Sequence, residues 1–483
     1  MNMTQKTTLL LPFCIMCAIP AASAGAVKDV PAFAFDKAAY EARVKKAFEN
    51  DVMGYQSVLI KNGQVVAQSA GGLARNAADG NVKMSTSMPA NIGSTIKFTG
   101  GVTLLALFQS KDKTINPKGL TVDQWLDLPI APYFPALWQK GMDASIKGIT
   151  FRQVLRHKSG FRGLAAADLG PDGDKRFYDY LEKGVLPANV NVRSYQNANF
   201  SLLTYLIPMI AHPALLAQVD QDAAKGKWQA EGVEIHKRIA DEWEKLMHAQ
   251  SYGKITPAIH PSCNPKVEYA KAGKSWAPDY ASKNDTKAGA TRDSRETNGY
   301  CQAQGGWYIT ARELAAFVAN FSATDLLVTG ATRDQMYDDD KADDRLVWSF
   351  TIGDKLIDSK FHIQRLAYQG GDHGGAHATI LMLPGGYYAV GIINSNDINS
   401  YGVTSRLLRG FKTGIGMPED PGCPALASQV PLADKMVTLR TAELAKARMT
   451  NPAAVPIAVA QLAAAQKALD DLLAKAESAV CSL

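Results

Sequence analysis

Three groups of residues in this 483-residue chain have types and spacings suited to nucleophilic catalysis. The first is Ser94-Thr95-Ile96-Lys97, inside "NIGSTIKFTGGVTLLALF". A serine with a lysine one helical turn later can attack a carbonyl if the lysine is buried. Burial lowers an ammonium pKa and leaves a neutral amine to take the hydroxyl proton. Spacing alone does not single this pair out, because S-x-x-K recurs at Ser110/Lys113 and Ser251/Lys254. Ser110 lies in the charged "QSKDKTINPKG" and Ser251 in the loop-like "AQSYGKITP". Only Ser94 follows a glycine and opens an apolar helical run. A helix start offers free N–H groups and the positive end of the dipole to a developing oxyanion. On this segment alone, an N-cap serine with a surface lysine remains open.

The second group is Tyr195-Gln196-Asn197, the only Y-x-N in the chain. A tyrosine near a lysine can shuttle protons, and an asparagine two residues on can hold the lysine and a substrate amide. The alternative is a buried loop tyrosine. The third is "YQGGDHGGAHATI" (368–380), where His373-Gly374-Gly375 precedes an apolar strand. Glycines let a strand edge approach a ligand closely; the alternative is a glycine-rich turn with a structural histidine. His373 and His377 are four apart, but the glycines oppose a helix and no acidic residue stands between them as in H-E-x-x-H, so no metal is expected.

These groups need elements to hold them. The pattern over 35–50 predicts a helix, and 55–72 two strands around Asn62-Gly63, a hairpin signal. Residues 97–110 read as an apolar helix whose paired Gly100 and Gly101 suggest close packing. Helical patterns dominate 114–300, with 228–250 amphipathic and 251–300 loop-like. Strands are expected at 345–352, 377–384 and 387–395. Strands at both ends and helices between predict an α/β (α+β) fold: an antiparallel sheet assembled from both chain ends with a helical region inserted. Near the C-terminus, 432–449 and 458–480 read as two helices separated by 450–456. Leu462, Leu469, Leu472 and Ala476 form one stripe, as in a hairpin docked on the body, with a partner-binding coil as the alternative.

Lys6, the apolar run 7–20 and Ala22-Ser23-Ala24 have the layout of a cleavable secretory signal, with the mature chain starting near Gly25. This predicts a periplasmic or secreted protein divided into 1–24, 25–425 and 426–483. Cys14 and Cys17 fall in the signal. Cys263, Cys301, Cys423 and Cys481 remain, and an even number in an exported protein suggests two disulfides. Of three connectivities, Cys263–Cys301 and Cys423–Cys481 are favoured. Net charge is +6 from 52 basic and 46 acidic residues, spread along the chain, which points away from nucleic acid. No stretch after the signal reaches about 18 apolar residues, so stable membrane insertion is not expected. Oligomeric state is not legible.

The three groups, in this order, resemble the serine β-lactamase and penicillin-binding superfamily, nearest the branch of class C β-lactamases, D-alanyl-D-alanine carboxypeptidases and related esterases. "ITFRQVLRHKSGF" (149–161) and "GGWYITARELAAFVANF" (305–321) are similar to further segments of that family, and the resemblance spans roughly 35–410. It implies an antiparallel sheet flanked by helices, with an all-helical subdomain and the site between them. Ser94 would be the nucleophile, with Lys97 and Tyr195 sharing base and acid work. Asn197 would orient Lys97 and substrate, and His373 and Gly375 would line the substrate strand. Backbone N–H groups of Ser94 and Ala376 would form the oxyanion hole. His373-Gly374-Gly375 lacks the lysine and hydroxyl of the family's K-T-G, which the family uses to bind a substrate carboxylate. Gln196 is bulkier than the family's usual middle residue of Y-x-N. The implied function is an exported serine hydrolase forming an acyl-enzyme on an ester or small amide, including D-amino-acid peptides, with no cofactor and a small-molecule or peptide substrate. The alternatives are a β-lactamase and a non-catalytic binding or regulatory module.

Overall fold

A computed structural model describes residues 34–161, 178, 180–185, 187–229, 233–291, 301–337, 345–352, 366–417 and 454–478, with scattered positions between 433 and 444. Residues 1–24, read as a secretory signal, Cys423 and Cys481 lie outside the described residues, as does most of 432–449, where the first of two C-terminal helices is expected.

Seven strands form one sheet in the order β3-β2-β1-β9-β8-β7-β6. They are β1 (Gly54–Lys61), β2 (Gln64–Arg75), β3 (Val82–Lys83), β6 (Phe350–Ile352), β7 (Leu366–His373), β8 (Ala376–Leu383) and β9 (Tyr387–Ile393). Every pairing is antiparallel. β1 pairs with β9 from Tyr55↔Ile393 to Lys61↔Tyr387, so the two ends of the core meet at the centre of the sheet, as the sequence predicts. The β1–β2 turn is Asn62-Gly63, with φ of 47° and 80°, the left-handed pair that a two-residue hairpin needs. A second, two-stranded piece joins β4 (Ala90–Asn91) to β5 (Tyr308–Ile309).

The sheet is covered on both faces, and strand alternation decides which residue serves which face. On one side Tyr55, Leu59, Leu381 and Ala389 pack with α1 (Lys37–Phe48) and α7 (Ser400–Gly414) through Tyr40, Val44, Phe48, Leu407 and Phe411. On the other, Val58, Ile60, Ile380 and Val390 pack with α2 (Ile96–Phe108) and α6 (Ala311–Ala323) through Phe98, Val102 and Phe317. Each such fully buried side chain contributes about 1.5–3 kcal/mol of transfer free energy. Asp36 caps α1 by accepting from Ala39 N at 2.9 Å, and Thr310 with Glu313 forms a capping box on α6.

The inserted region is helical. It includes α3 (Asn197–Ser201), α4 (Leu203–Ala211) and α5 (Val233–Met247), and Trp138, Tyr205 and Trp243 are in its core. Cys263 and Cys301 are joined as expected, with Cα atoms 5.7 Å apart. The last helix, α8 (Val455–Ser478), covers Leu469 fully and Leu462 and Leu472 in part, so the stripe read from sequence is the sheltered side. Among the described residues no single helix is long and apolar enough to cross a membrane.

Two expectations shift. Strand is confined to Phe350–Ile352 within 345–352. The segment 366–373, which is not among the expected strands, is a full strand between β6 and β8. Its Gly370, Gly371 and Asp372 have poor strand propensity, and pairing with β8 from Ala367↔Met382 to His373↔Ala376 overrides it.

Candidate active site

Ser94 sits in a single 3-10 turn, Gly93–Thr95, that runs directly into α2. The turn is fixed from behind by the β4–β5 pair. Ile92 N donates to Trp307 O at 2.9 Å, and Gly93 N donates to Asn91 Oδ1 at 2.9 Å. α2 is buried almost all round, as its uniformly apolar sequence requires. A Cβ on Gly101 would lie 2.6 Å from Val347 Cγ2, which accounts for the small residue there.

Because α2 is buried, Lys97 is buried with it, at 0% exposure. Its Nζ has three neighbours: Ser94 Oγ at 2.8 Å, Asn197 Oδ1 at 2.9 Å and the Gln304 carbonyl at 2.6 Å. Among the described residues no carboxylate pairs with it. Burial therefore holds the amine well below the ordinary lysine pKa. The chemistry of the three neighbours then assigns directions. Asn197 Oδ1 and Gln304 O can only accept, so they take the two hydrogens of a neutral amine. The remaining lone pair faces Ser94 Oγ, whose hydroxyl can donate to it.

Tyr195 and Asn197 bracket the start of α3, and α3 brings both to Lys97. Lys97 Nζ lies 5.3 Å from the centroid of the Tyr195 ring, and Ser94 is close enough to act on the phenol electrostatically. The residue is 46% exposed. Desolvation raises the phenol above its ordinary pKa, partly offset by Ser94, and that exposure limits the size of the shift. At neutral pH the phenol is therefore protonated. His157 supports Tyr195 from below, ring on ring at 4.6 Å, and its Nδ1 accepts from Gln196 N at 3.2 Å. Burial, with Arg193 as a lesser cause, holds the His157 imidazole well below its ordinary pKa and keeps it neutral. Ser159 Oγ donates to Asn199 Oδ1 at 2.5 Å and ties the same loop to α3.

The opposite wall is β7, and here the expected residues move. A Cβ on Gly371 would lie 2.1 Å from Ile92 O, 2.5 Å from Thr95 N and 2.7 Å from Ser94 N. A Cβ on Gly93 would lie 2.9 Å from Asp372 N. Strand and nucleophile turn are thus in backbone contact, which only glycine at 371 permits. The stretch against Ser94 is Gln369-Gly370-Gly371-Asp372, four residues before the His373-Gly374-Gly375-Ala376 expected from sequence. His373 pairs with Ala376 across the Gly374-Gly375 turn. Its Nδ1 accepts from Asn91 Nδ2 at 2.7 Å, and Asn91 also holds Gly93, so His373 buttresses the nucleophile turn from behind. A Cβ on Gly375 would meet the Tyr280 backbone at 2.5 Å, not Ser94. Ala376 opens β8, one strand further into the sheet.

Asp372 is anchored by its own side chain. It accepts from Ser400 N at 2.6 Å and Ser400 Oγ at 2.7 Å, at the start of α7, and from His377 Nδ1. Its side chain is half exposed, so the opposing desolvation is limited, and these hydrogen bonds hold the carboxyl below its ordinary value. Gln369, Asp372, Gln304 and His157 are the residues that motif reading passes over. His157 lies inside the recognised 149–161 segment, and Gln304 directly precedes that of 305–321. Gln369 and Asp372 carry no motif of their own, and His373-Gly374-Gly375 just after them is the group the sequence offers as the substrate strand.

The geometry joins Ser94, Lys97, Tyr195 and Asn197 into one cluster and leaves Ser110 and Ser251 outside it. Ser251 is buried against Thr103, with the two Oγ atoms 2.5 Å apart. Residues 38–219 match the family model described as Beta-lactamase. Among solved structures the chain is similar to the octameric penicillin-binding protein homologue from Pyrococcus abyssi: 13% identity, TM-score 0.54, 82% of this chain and 79% of that one. It is also similar to a class C β-lactamase from Rhodobacter sphaeroides: 17% identity, TM-score 0.50, 78% of this chain and 98% of that one. A D-alanine carboxypeptidase from Burkholderia cenocepacia gives 16% identity and TM-score 0.51, with 78% and 98% covered. At these identities the likeness is one of fold. No curated protein matches the chain in sequence.

Proposed function

We propose, from a chain with the serine β-lactamase and penicillin-binding fold, that it is an exported serine hydrolase working through an acyl-enzyme on an ester or small amide, of the esterase or D-amino-acid peptidase type. The fold supports serine-hydrolase activity in general, and the observation that carries the finer reading is the environment of Lys97 Nζ. This nitrogen lies 2.8 Å from Ser94 Oγ, 2.9 Å from Asn197 Oδ1 and 2.6 Å from Gln304 O, so that in the neutral amine the two carbonyl oxygens take its hydrogens and the lone pair is left for the Ser94 hydroxyl.

In this reading Ser94 Oγ attacks the substrate carbonyl and passes its proton to Lys97. The protonated Tyr195 phenol gives its proton to the leaving alkoxide or amine and recovers one from Lys97. Water then attacks the acyl-enzyme, with the same pair working in reverse. The oxyanion is held by backbone N–H groups of Ser94 and Asp372, since Gly371 and Asp372, rather than Ala376, lie against the nucleophile turn. Asn197 orients Lys97 and the substrate.

The test is hydrolysis of p-nitrophenyl esters, D-alanyl peptides and a chromogenic β-lactam by wild type and Ser94→Ala. Ester or D-alanyl peptide turnover that vanishes in the variant supports the reading. Turnover equal in both proteins, or none on any ester or peptide, overturns it.

A further inference from the structure

Gln369 occupies a place that neither motif reading nor the mechanism above uses. It lies on β7 two residues before Gly371 and is 1% exposed. Its amide is engaged at both ends. Nε2 donates to the carbonyl of Ser94 itself at 3.1 Å and to Gly370 O at 3.0 Å. Oε1 accepts from Ser349 Oγ at 2.7 Å. This side chain therefore bridges the nucleophile's own peptide and the strand that passes it, and Ser349, just ahead of β6, orients the bridge from the far side.

The placement matters because backbone contact at Gly371 is close but non-directional. Pairing with β8 fixes β7 within the sheet, and a hydrogen bond from the fixed Gln369 side chain to Ser94 O ties the nucleophile turn to that strand. It thereby sets the spacing between the Ser94 N–H and the Asp372 N–H that must converge on one oxygen. Misplacement of such donors by about 1 Å costs on the order of a hundredfold in rate.

We propose that Gln369 is a positioning residue for acylation: its amide hydrogen locks Ser94 against β7 without touching substrate. This rests on Ser94 being the nucleophile, as proposed above. Donation to Ser94 O is the essential half, and acceptance from Ser349 keeps the amide the right way round.

The experiment is the second-order rate of labelling by a fluorophosphonate, in which Ser94 Oγ would displace fluoride from phosphorus. It is run on wild type, Gln369→Met, Gln369→Glu and Ser349→Ala, each with its melting temperature. Met keeps the length but neither donates nor accepts at Ser94 O, and labelling is expected to fall by about tenfold or more. Glu accepts but cannot donate while ionised, so it is expected to be as slow near pH 7.5. Its rate relative to wild type should recover toward about pH 5, where the carboxyl regains a hydrogen. Lys97 and Asp372 are present in both proteins, so their titration cancels in the ratio. Ser349→Ala, remote from the nucleophile, should show a smaller loss in the same sense. Labelling of Gln369→Met at the wild-type rate overturns the proposal, as does a Gln369→Glu ratio that is flat with pH. If Gln369→Met fails to fold, the Glu ratio and Ser349→Ala decide. A wild type that is not labelled overturns the reading of Ser94 and this inference with it, whereas labelled wild type with unaffected variants overturns this inference alone.

Discussion

The two walls of the cleft are built on different principles. On one side Ser94 and Lys97 are held by helix geometry. The spacing of three residues and the buried face of α2 fix their separation whatever the rest of the chain does. On the other side Gln369, Gly371 and Asp372 are held by strand register, and register is set by β8, by the Gly374-Gly375 turn and by contacts at Ser400 and Ser349. The first wall carries its geometry locally. The second borrows it from residues far along the chain. Loss of one chemical group should therefore dominate on the helix wall, and loss of fit on the strand wall.

The largest effect is expected at the helix wall. Lys97→Ala removes the lone pair facing Ser94 and should lower ester turnover by about 10²–10⁴-fold with little change in KM. Steady-state kinetics on a p-nitrophenyl ester check this. A fall of less than about fivefold would remove Lys97 from the proposed base role.

Next comes Gly371→Ala on the strand wall. Its Cβ would meet three backbone atoms between 2.1 and 2.7 Å, so β7 must retreat from the nucleophile turn. Overpacking of this kind costs about 1–3 kcal/mol, read by denaturant unfolding, and turnover should fall further than stability explains. Normal turnover in Gly371→Ala would show that the contact is not what shapes the oxyanion site.

The environment of Lys97 also predicts a pH effect of known sign. Its folded pKa is pushed below the ordinary value of 10.5, so between the two the unfolded chain binds the extra proton. In that window the contribution of Lys97 to stability rises with pH, and on acidification it weakens until the folded pKa is passed. Turnover should fall as pH drops through that same lowered pKa, because the amine is then charged and has no lone pair for Ser94. Comparing unfolding free energies of wild type and Lys97→Met across alkaline pH reads the slope. A slope unchanged by the substitution would mean that Lys97 is not desolvated in solution.

The smallest effect is expected at His373. If it only buttresses Asn91, His373→Ala should lower kcat by a few-fold and leave KM unchanged. A rise in KM with unchanged kcat would instead restore it to the substrate strand, as first read from sequence.

The same contrast explains what was legible in the sequence. Ser94, Lys97, Tyr195, Asn197, the β1–β2 hairpin and the closing strands β8 and β9 are legible through short motifs and turn chemistry, and the Cys263–Cys301 bridge through the cysteine count. The strand wall is not, because the stretch 368–380 holds two Gly-Gly pairs, 370–371 and 374–375, four residues apart. The second stands next to a histidine and an obvious strand, and the first is in a stretch with poor strand propensity. Only pairing with β8 shows that the first lies against Ser94 and the second is the hairpin turn. His157 and Gln304 were hidden for a related reason: one acts by stacking beneath Tyr195 and the other through a backbone carbonyl, and neither leaves a side-chain pattern.

The most direct test of the central claim is to trap the acylated or phosphonylated protein and map the adduct by peptide mass spectrometry. One adduct per chain on Ser94, absent from Ser94→Ala, is the result expected. An adduct on Ser110 or Ser251, or labelling undiminished in Ser94→Ala, would contradict it.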